Sequence, residues 1–362
     1  FFRAVDPMSG MKHRRAGRTD LELPVVCFGA WAIGGWAWGG TDEAAAVAAM
    51  RAGFDEGMDA VDTAPVYGFG LSEQLVGRAL EGRRGRVKVL TKVGLRWGRE
   101  EGPLFFESRT PSGEAVRVHR NSRPESVREE VDESLARIGV ERLDLVQVHW
   151  PDPSTPIAET MGALAELRSA GKIGEIGVSN YSVEQLEEAR VALGDVPLAT
   201  DQPRYSLVDR SIDAEILPWA RRHGVGILAY SPLEQGLLTG RMDPARTFPK
   251  GDARAERWTL SRANRIAVNA RLERYVQPIA AAHRASVAQV VIAATVAREG
   301  ITAALVGARG PEQAVQNARA GALDLSDDEL AAMQRAFGSF FLRHPASWRG
   351  RLLALRTRLL GR

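Results

Sequence analysis

A chain of 362 residues, 44% hydrophobic and 26% charged, has the composition of an ordinary globular protein and the length of one large barrel domain. A single cysteine, Cys27, excludes an intramolecular disulfide and fits a reducing compartment. No apolar run spans a bilayer, so the expectation is a cytoplasmic protein without a transmembrane segment. The formal charge of +3 is uneven: beyond Glu329 there are seven arginines and no acid, and without them the rest carries −4, which argues against a nucleic-acid partner for the body.

The N-terminus lacks the basic-then-apolar design of a secretory signal, and residues 1–11 are expected to be a disordered leader. Lys12–Ala16 and Asp20–Pro24, joined through Gly17-Arg18-Thr19, predict a short hairpin. Val25–Gly29 is an apolar strand. Thr41 or Asp42 caps a helix from Glu43 to about Glu56, Ala60–Asp62 is the next strand, Ser72 caps a helix over Glu73–Leu80, and Val87–Thr91 is again a strand. The irregular stretch Gly94–Arg123, with Trp97, Phe105 and Phe106, predicts a functional lid or a small added hairpin.

Helix and strand then alternate through Glu125–Ile138, Leu143–Val148, Ala158–Ala170, Ile173–Val178, Val183–Leu193, Ala199–Gln202, Ile212–His223 and Val225–Ala229. A second long loop, Ser231 to about Ala263, precedes helices near Arg271–Arg284 and Val287–Glu299. Thr302–Val306 is the last strand, and helices begin at Pro311 and Ser326. Eight short apolar strands separated by helices predict an α/β fold, a closed (β/α)8 TIM barrel over residues 12–339. A doubly wound sheet is disfavoured, because Gly29-Ala-Trp-Ala-Ile-Gly34 lacks the dinucleotide-fingerprint spacing and no phosphate loop exists.

Three polar residues close apolar runs: Asp62, Lys92 and His149. Such positions fall at the C-terminal ends of barrel strands, where sites are built. Side by side they bring a carboxylate, an ammonium and an imidazole to the phenol of Tyr67. A lysine about 4 Å from a phenol contributes about 4 kcal/mol at an effective dielectric near 20, enough to bring its pKa toward neutrality. Asp62 would charge-balance Lys92, and His149 would donate to the reacting oxygen. This set suits protonation of a carbonyl oxygen as hydride reaches carbon. The six histidines are scattered singly, so no metal is expected.

Asp62-Thr-Ala-Pro-Val-Tyr67-Gly68, Thr91-Lys92-Val93, Gln147-Val148-His149-Trp150-Pro151-Asp152 and Gly177-Val178-Ser179-Asn180 together resemble the aldo-keto reductase superfamily, in family order from about Lys12 to Ser339. Gly29-Ala30-Trp31-Ala32-Ile33-Gly34-Gly35 and Gly68-Phe69-Gly70-Leu71-Ser72-Glu73 look like its bacterial general-stress-type members. The resemblance implies a catalytic tetrad of Asp62, Tyr67, Lys92 and His149, with Tyr67 as general acid, reducing aldehydes and ketones reversibly with NADP(H). It implies cofactor contacts from Gly29, Ala30, Trp31 and Asp62, and a nicotinamide whose carboxamide is held by Ser179, Asn180 and Gln202, with Tyr230 stacked on the ring. Ser231, Pro232, Leu233, Gln235, Gly236, Leu238 and Gly240 belong to a stretch resembling the loop that closes over the pyrophosphate. Gly307, Arg309, Gln313 and Asn317 resemble the adenosine end, where Arg309 would pair with a 2′-phosphate. The family often has Glu before that Asn; here it is Gln316, which lacks the charge.

Trp31, Tyr67, His149 and Trp150 are the expected substrate contacts. Trp36, Trp38, Trp97, Phe105 and Phe106 could extend an aromatic wall that favours aromatic or medium-chain carbonyls. The competing function is a non-catalytic, cofactor-binding redox module resembling potassium-channel β subunits. In the tail, residues 340–362, Trp348, Leu352, Leu355 and Leu359 follow a helical stripe among arginines and predict a basic amphipathic segment outside the chemistry. Truncation after Ser339 is therefore expected to preserve turnover.

Overall fold

The structure is a computed structural model that describes residues 10–110, 112–249 and 251–344. Strands β1 (His13–Arg15) and β2 (Glu22–Pro24) form an antiparallel hairpin with His13 opposite Pro24. Strands β3 (Val26–Gly29), β4 (Ala60–Asp62) and β5 (Lys88–Val93) are separated by helices α1 (Glu43–Asp55) and α2 (Leu71–Ala79). After β5 the chain leaves the barrel as β6 (Leu95–Trp97), β7 (Leu104–Arg109) and β8 (Ala115–Arg120), and it returns through α3 (Pro124–Ile138) to β9 (Leu143–Val148). Then follow α4 (Ile157–Ser169), β10 (Ile173–Ser179), α5 (Val183–Leu193), β11 (Leu198–Gln202), α6 (Ile216–His223) and β12 (Gly226–Tyr230). A long connection leads to α7 (Arg262–Arg271), which runs through a π turn into α8 (Gln277–Ala282). The chain ends with α9 (Val287–Ala297), β13 (Ile301–Val306), α10 (Pro311–Arg319) and α11 (Asp327–Phe337).

Eight parallel strands close in the order β10-β11-β12-β13-β3-β4-β5-β9. Strand alternation explains how that barrel carries polar groups. Ala60 and Asp62, Leu90 and Lys92, and Leu145 and Gln147 are each two residues apart and share a face. The first of each pair packs in the interior cluster with Cys27, Ala199, Leu228 and Ala303, and the second stands one layer higher, at the mouth. Gly177 makes room for this layer: a Cβ there would lie 2.3 Å from the Thr200 hydroxyl and 2.9 Å from Gln147. The hairpin closes the opposite end, with Ala16, Leu21 and Leu23 joining the same interior cluster. Helices pack outside the strands in a larger apolar cluster.

Three expectations need correction. The Gly94–Arg123 stretch is ordered as a three-stranded antiparallel wing, β6-β8-β7, one strand more than a hairpin. Ser72 is no cap: α2 begins at Leu71 after Gly70, and the buried Ser72 hydroxyl donates to the Ala30 carbonyl at 3.0 Å and meets Thr63 Oγ1 at 2.8 Å. The helix expected at Arg271 starts at Arg262, because Ser261 accepts from Asn264 N–H and Val268, Leu272 and Val276 bury one face. Met11, placed in the leader by sequence, packs against the outer core. At the other end Phe340 and Leu342 pack on the cluster of α7–α9 and α11, while Trp348 and the arginines after it lie outside the described residues.

Candidate active site

The mouth of the barrel opens into a cleft of about 540 Å³. On its floor Lys92 Nζ donates to Asp62 Oδ1 at 2.6 Å and to the Thr63 carbonyl at 2.9 Å. Asp62 Oδ2 accepts from Gln202 Nε2 at 2.9 Å and Gln147 Nε2 at 3.2 Å. Thus both carboxylate oxygens are engaged and the ammonium has a second acceptor, additional hydrogen bonds of the kind that let a buried ion pair be tolerated. Tyr67 lies above it, its ring centroid 5.0 Å from Lys92 Nζ. The His149 ring stands edge-on to Tyr67 at 5.6 Å, and Trp31 lies 6.4 Å from the phenol ring. The tight turn carrying Tyr67 depends on Gly68, at φ +68°, where a Cβ would lie 2.3 Å from the Gly34 carbonyl oxygen.

Electrostatics departs from the sequence expectation. Burial pushes the Tyr67 phenol well above its ordinary pKa, and Asp62 adds to the rise. Lys92 Nζ, 5.0 Å from the ring centroid, is itself paired with Asp62 at 2.6 Å, so the phenol faces an ion pair and not a lone cation. Burial lowers Lys92 itself, with Asp62 opposing. Burial, reinforced by Lys92, holds His149 well below its ordinary value, so the imidazole is neutral near pH 7. The floor therefore presents a protonated phenol and a neutral imidazole.

Ser179 Oγ donates to the Gln202 carbonyl at 2.7 Å. Asn180 Nδ2 donates to Ser179 Oγ at 2.9 Å and the His149 carbonyl at 3.1 Å, and Asn180 Oδ1 accepts from the Tyr230 hydroxyl at 3.0 Å. Asn180, Ser231, Glu234 and Gln235 hold left-handed φ values of +61°, +58°, +48° and +54°, a concentration of strain expected at a site. Gly29, Trp31, Ser179, Asn180, Gln202, Tyr230, Ser231, Pro232, Leu233, Gln235, Gly236, Gly307, Arg309 and Gln313 all line the cleft, with Asp62, Tyr67, His149 and Trp150. Others of the sequence set do not. Ala30 is buried beneath it and Lys92 behind Asp62; Leu238 is core in the α7–α9 cluster, and Gly240 faces Val287. Asn317 Nδ2 supports the wall by donating to the Gly307 carbonyl at 3.1 Å. Arg309 donates to the Trp38 and Gly40 carbonyls at 3.4 and 3.0 Å.

Sequence reasoning missed Arg254 and Arg257, which also line the cleft. Arg254 bridges Asp252 at 2.6 Å and covers the Trp38 ring, while the Arg257 guanidinium lies 6.0 Å above Trp31. Burial, then Arg204, pushes Arg257 below its usual range, and Glu234, the acid near it, is already bridged to Arg204. The missed signal was two arginines in a loop with tryptophan, easily taken for solvated charge.

A parallel barrel with this floor defines an oxidoreductase of the aldo/keto reductase class. The chain matches the model of the Aldo/keto reductase family over residues 25–337 and belongs to that family. It is 37% identical to the NADH-specific methylglyoxal reductase of Escherichia coli over 330 residues, 90% of this chain and 98% of that one. It is 30% identical to a probable voltage-gated potassium channel subunit beta of Oryza sativa over 324 residues, 86% of this chain and 91% of the other. The glycerol dehydrogenase of Gluconobacter oxydans superposes with a TM-score of 0.79 at 38% identity, covering 94% of this chain and 99% of that structure.

Proposed function

We propose that this protein reduces aldehydes and ketones to alcohols with NADPH, Tyr67 supplying the proton. The observation that carries the reading is the buried Lys92–Asp62 pair directly beneath Tyr67 and His149. A dinucleotide fits the cleft chemically. Among the described residues, Gln235 Oε1 and Trp38 Nε1, on two side chains that line it, are buried without partners, and Arg257, also in its lining, makes no ion pair. Ser179, Asn180, Gln202 and Tyr230 would hold the nicotinamide, Arg257 the pyrophosphate, and Arg309 and Gln313 the adenosine end. The cofactor, when bound, supplies hydride to the carbonyl carbon.

The rest is done by side chains. Neutral His149 donates a hydrogen bond that orients the carbonyl oxygen. Tyr67 Oη gives that oxygen its proton, completing the alcohol, and the phenolate left behind is stabilised by the Lys92 ammonium. Asp62 keeps Lys92 charged and aimed. Trp31, Trp36, Phe105, Phe106 and Trp150 exclude water and favour a flat or extended apolar substrate. A second reading, NADH as the cofactor, is favoured by the two carbonyls that already occupy Arg309 and by the name of the Escherichia coli relative.

The test is nicotinamide oxidation by the wild-type chain and by Tyr67→Phe, with aromatic aldehydes and small dicarbonyls as substrates and both cofactors. Turnover lost in Tyr67→Phe with cofactor affinity retained is the expected result. Cofactor binding without turnover of any carbonyl by the wild type would replace the enzyme reading with that of a redox-sensing module.

A further inference from the structure

The arginine-bearing segment over the cleft is not held by the barrel alone. Ala253 N–H donates to the Ala37 carbonyl at 3.0 Å, and this fixes its start. Its far end, at Trp258, turns through Leu260 N–H to the Arg257 carbonyl and Ser261 N–H to the Trp258 carbonyl, both at 3.0 Å, and one side chain ties that turn to the C-terminal segment. Asn264, in the first turn of α7, is fully buried. Its Nδ2 donates to the Trp258 carbonyl at 3.0 Å and to the Arg343 carbonyl at 3.1 Å, and its Oδ1 accepts from Arg343 N–H at 2.7 Å. Only a carboxamide offers an acceptor and two donors in this plane; an aspartate lacks the donors, and an apolar residue takes the side-chain partner from the Arg343 N–H and carbonyl and leaves the Trp258 carbonyl only its bond from Ser261 N–H.

The C-terminal segment makes the complementary contacts. Phe340 lies under the Arg271 guanidinium at 3.9 Å, Leu342 packs on the cluster that holds Leu260 and Val268, and the His344 ring sits 4.7 Å from the Trp258 ring. Phe340–His344, Asn264 and Trp258 thus form one connected structure, and Arg257 is the next residue along the chain.

We infer that Asn264 is a positioning residue through which Phe340–His344 holds Arg257 over the cleft and thereby slows cofactor release. This rests on the proposal that Arg257 faces the cofactor, and it reverses the expectation that everything after Ser339 is dispensable. Removing the latch takes the Asn264 and His344 contacts from Trp258, leaves it only its local turn, and widens the range of Arg257, so the dissociation rate rises while Asp62, Tyr67, Lys92 and His149 stay in place.

The experiment measures NADPH and NADH dissociation from the full-length protein by stopped-flow fluorescence, beside kcat. Asn264→Ala and truncation after Ser339 should each speed release about tenfold, the scale of one lost net hydrogen bond, and the combination should do no more than either alone. Truncation after His344 should match the wild type. Leu164→Ala, a cavity in the outer helical layer, is the control for general destabilisation and should leave release unchanged. Multiplying effects in the double variant, or wild-type release from folded Asn264→Ala, overturns the latch. If Asn264→Ala does not fold, wild-type release after truncation at Ser339 overturns it equally. Arg257→Ala separates the two proposals: unchanged release there removes the role of Arg257 itself. Fast release from Arg257→Ala, with normal release from Asn264→Ala, removes only the latch.

Discussion

Lys92 is a cation at 1% exposure whose nearest anion, Asp62, is also almost wholly buried. Removing one member of such a pair is costlier than removing both. Lys92→Met should therefore lower kcat about 100-fold or more through loss of phenolate stabilisation, and destabilise the fold by about 3–5 kcal/mol. Turnover within a few-fold of wild type would exclude Lys92 from the chemistry. His149 allows a pH test with a definite sign. Because burial and Lys92 depress its pKa, the imidazole stays neutral through pH 6.5, and kcat/KM should show no acid limb there. An acid limb near pH 6.5 that disappears in His149→Asn would contradict a neutral donor. Arg309→Ala should weaken NADPH by about 1–3 kcal/mol and spare NADH if its guanidinium turns from the Trp38 and Gly40 carbonyls to a 2′-phosphate. Equal affinities before and after would leave Arg309 as a brace for the 38–40 loop.

At the scale of elements, the wing decides how wide the cleft is. Phe106 stacks on Trp36 at 5.2 Å with 18° between the planes, and Phe105 packs on Trp150 at 5.4 Å. Phe106→Ala should raise KM for aromatic aldehydes several-fold while leaving a three-carbon dicarbonyl nearly unaffected; parallel changes for both substrates would show that the wing only excludes solvent. The wing also marks how far sequence carries. The meeting of Asp62, Lys92 and His149 at the mouth was legible because three polar residues end successive apolar runs, a pattern that any one of them alone would not have made telling. The strands Leu104–Arg109 and Ala115–Arg120 were not, since neither buries one clean face and period-2 alternation has nothing to act on. Helix α7 was overlooked for the opposite reason: Val268, Leu272 and Val276 keep helical spacing, but the arginines and asparagines around them dilute it. The contacts that single out Arg257 and Asn264, to Trp31 and to Arg343, lie far along the chain, so no local pattern exposes them.

At the scale of the whole molecule, the wing is tied to the barrel by buried charge. Arg96 in β6 bridges Glu133 at 2.9 Å, Arg137 joins Glu133 to the buried Glu73, and Glu130 accepts from Gly94 N–H at 2.9 Å. Burial, opposed by Arg96, raises Glu130 to about 8 from an ordinary 4.5. Between those values the folded chain holds a proton that the unfolded chain has released, so stability falls as pH rises through that interval. Glu130→Gln should flatten the decline of Tm from pH 5 to pH 8; an unchanged slope would place the titration elsewhere. The hairpin at the far end of the barrel has a different reach. Ala16, Leu21 and Leu23 pack in one apolar cluster with Leu90, Leu145 and Leu228, which lies between the hairpin and the Lys92 ammonium. If water reaches Lys92 from the mouth, a ligand that fills the mouth should slow hydrogen–deuterium exchange at Lys92 Nζ, and the lysine would serve as an internal clock for cleft opening, readable by isotope-edited NMR without any substrate turning over; exchange unchanged by ligand would mean that water reaches it another way.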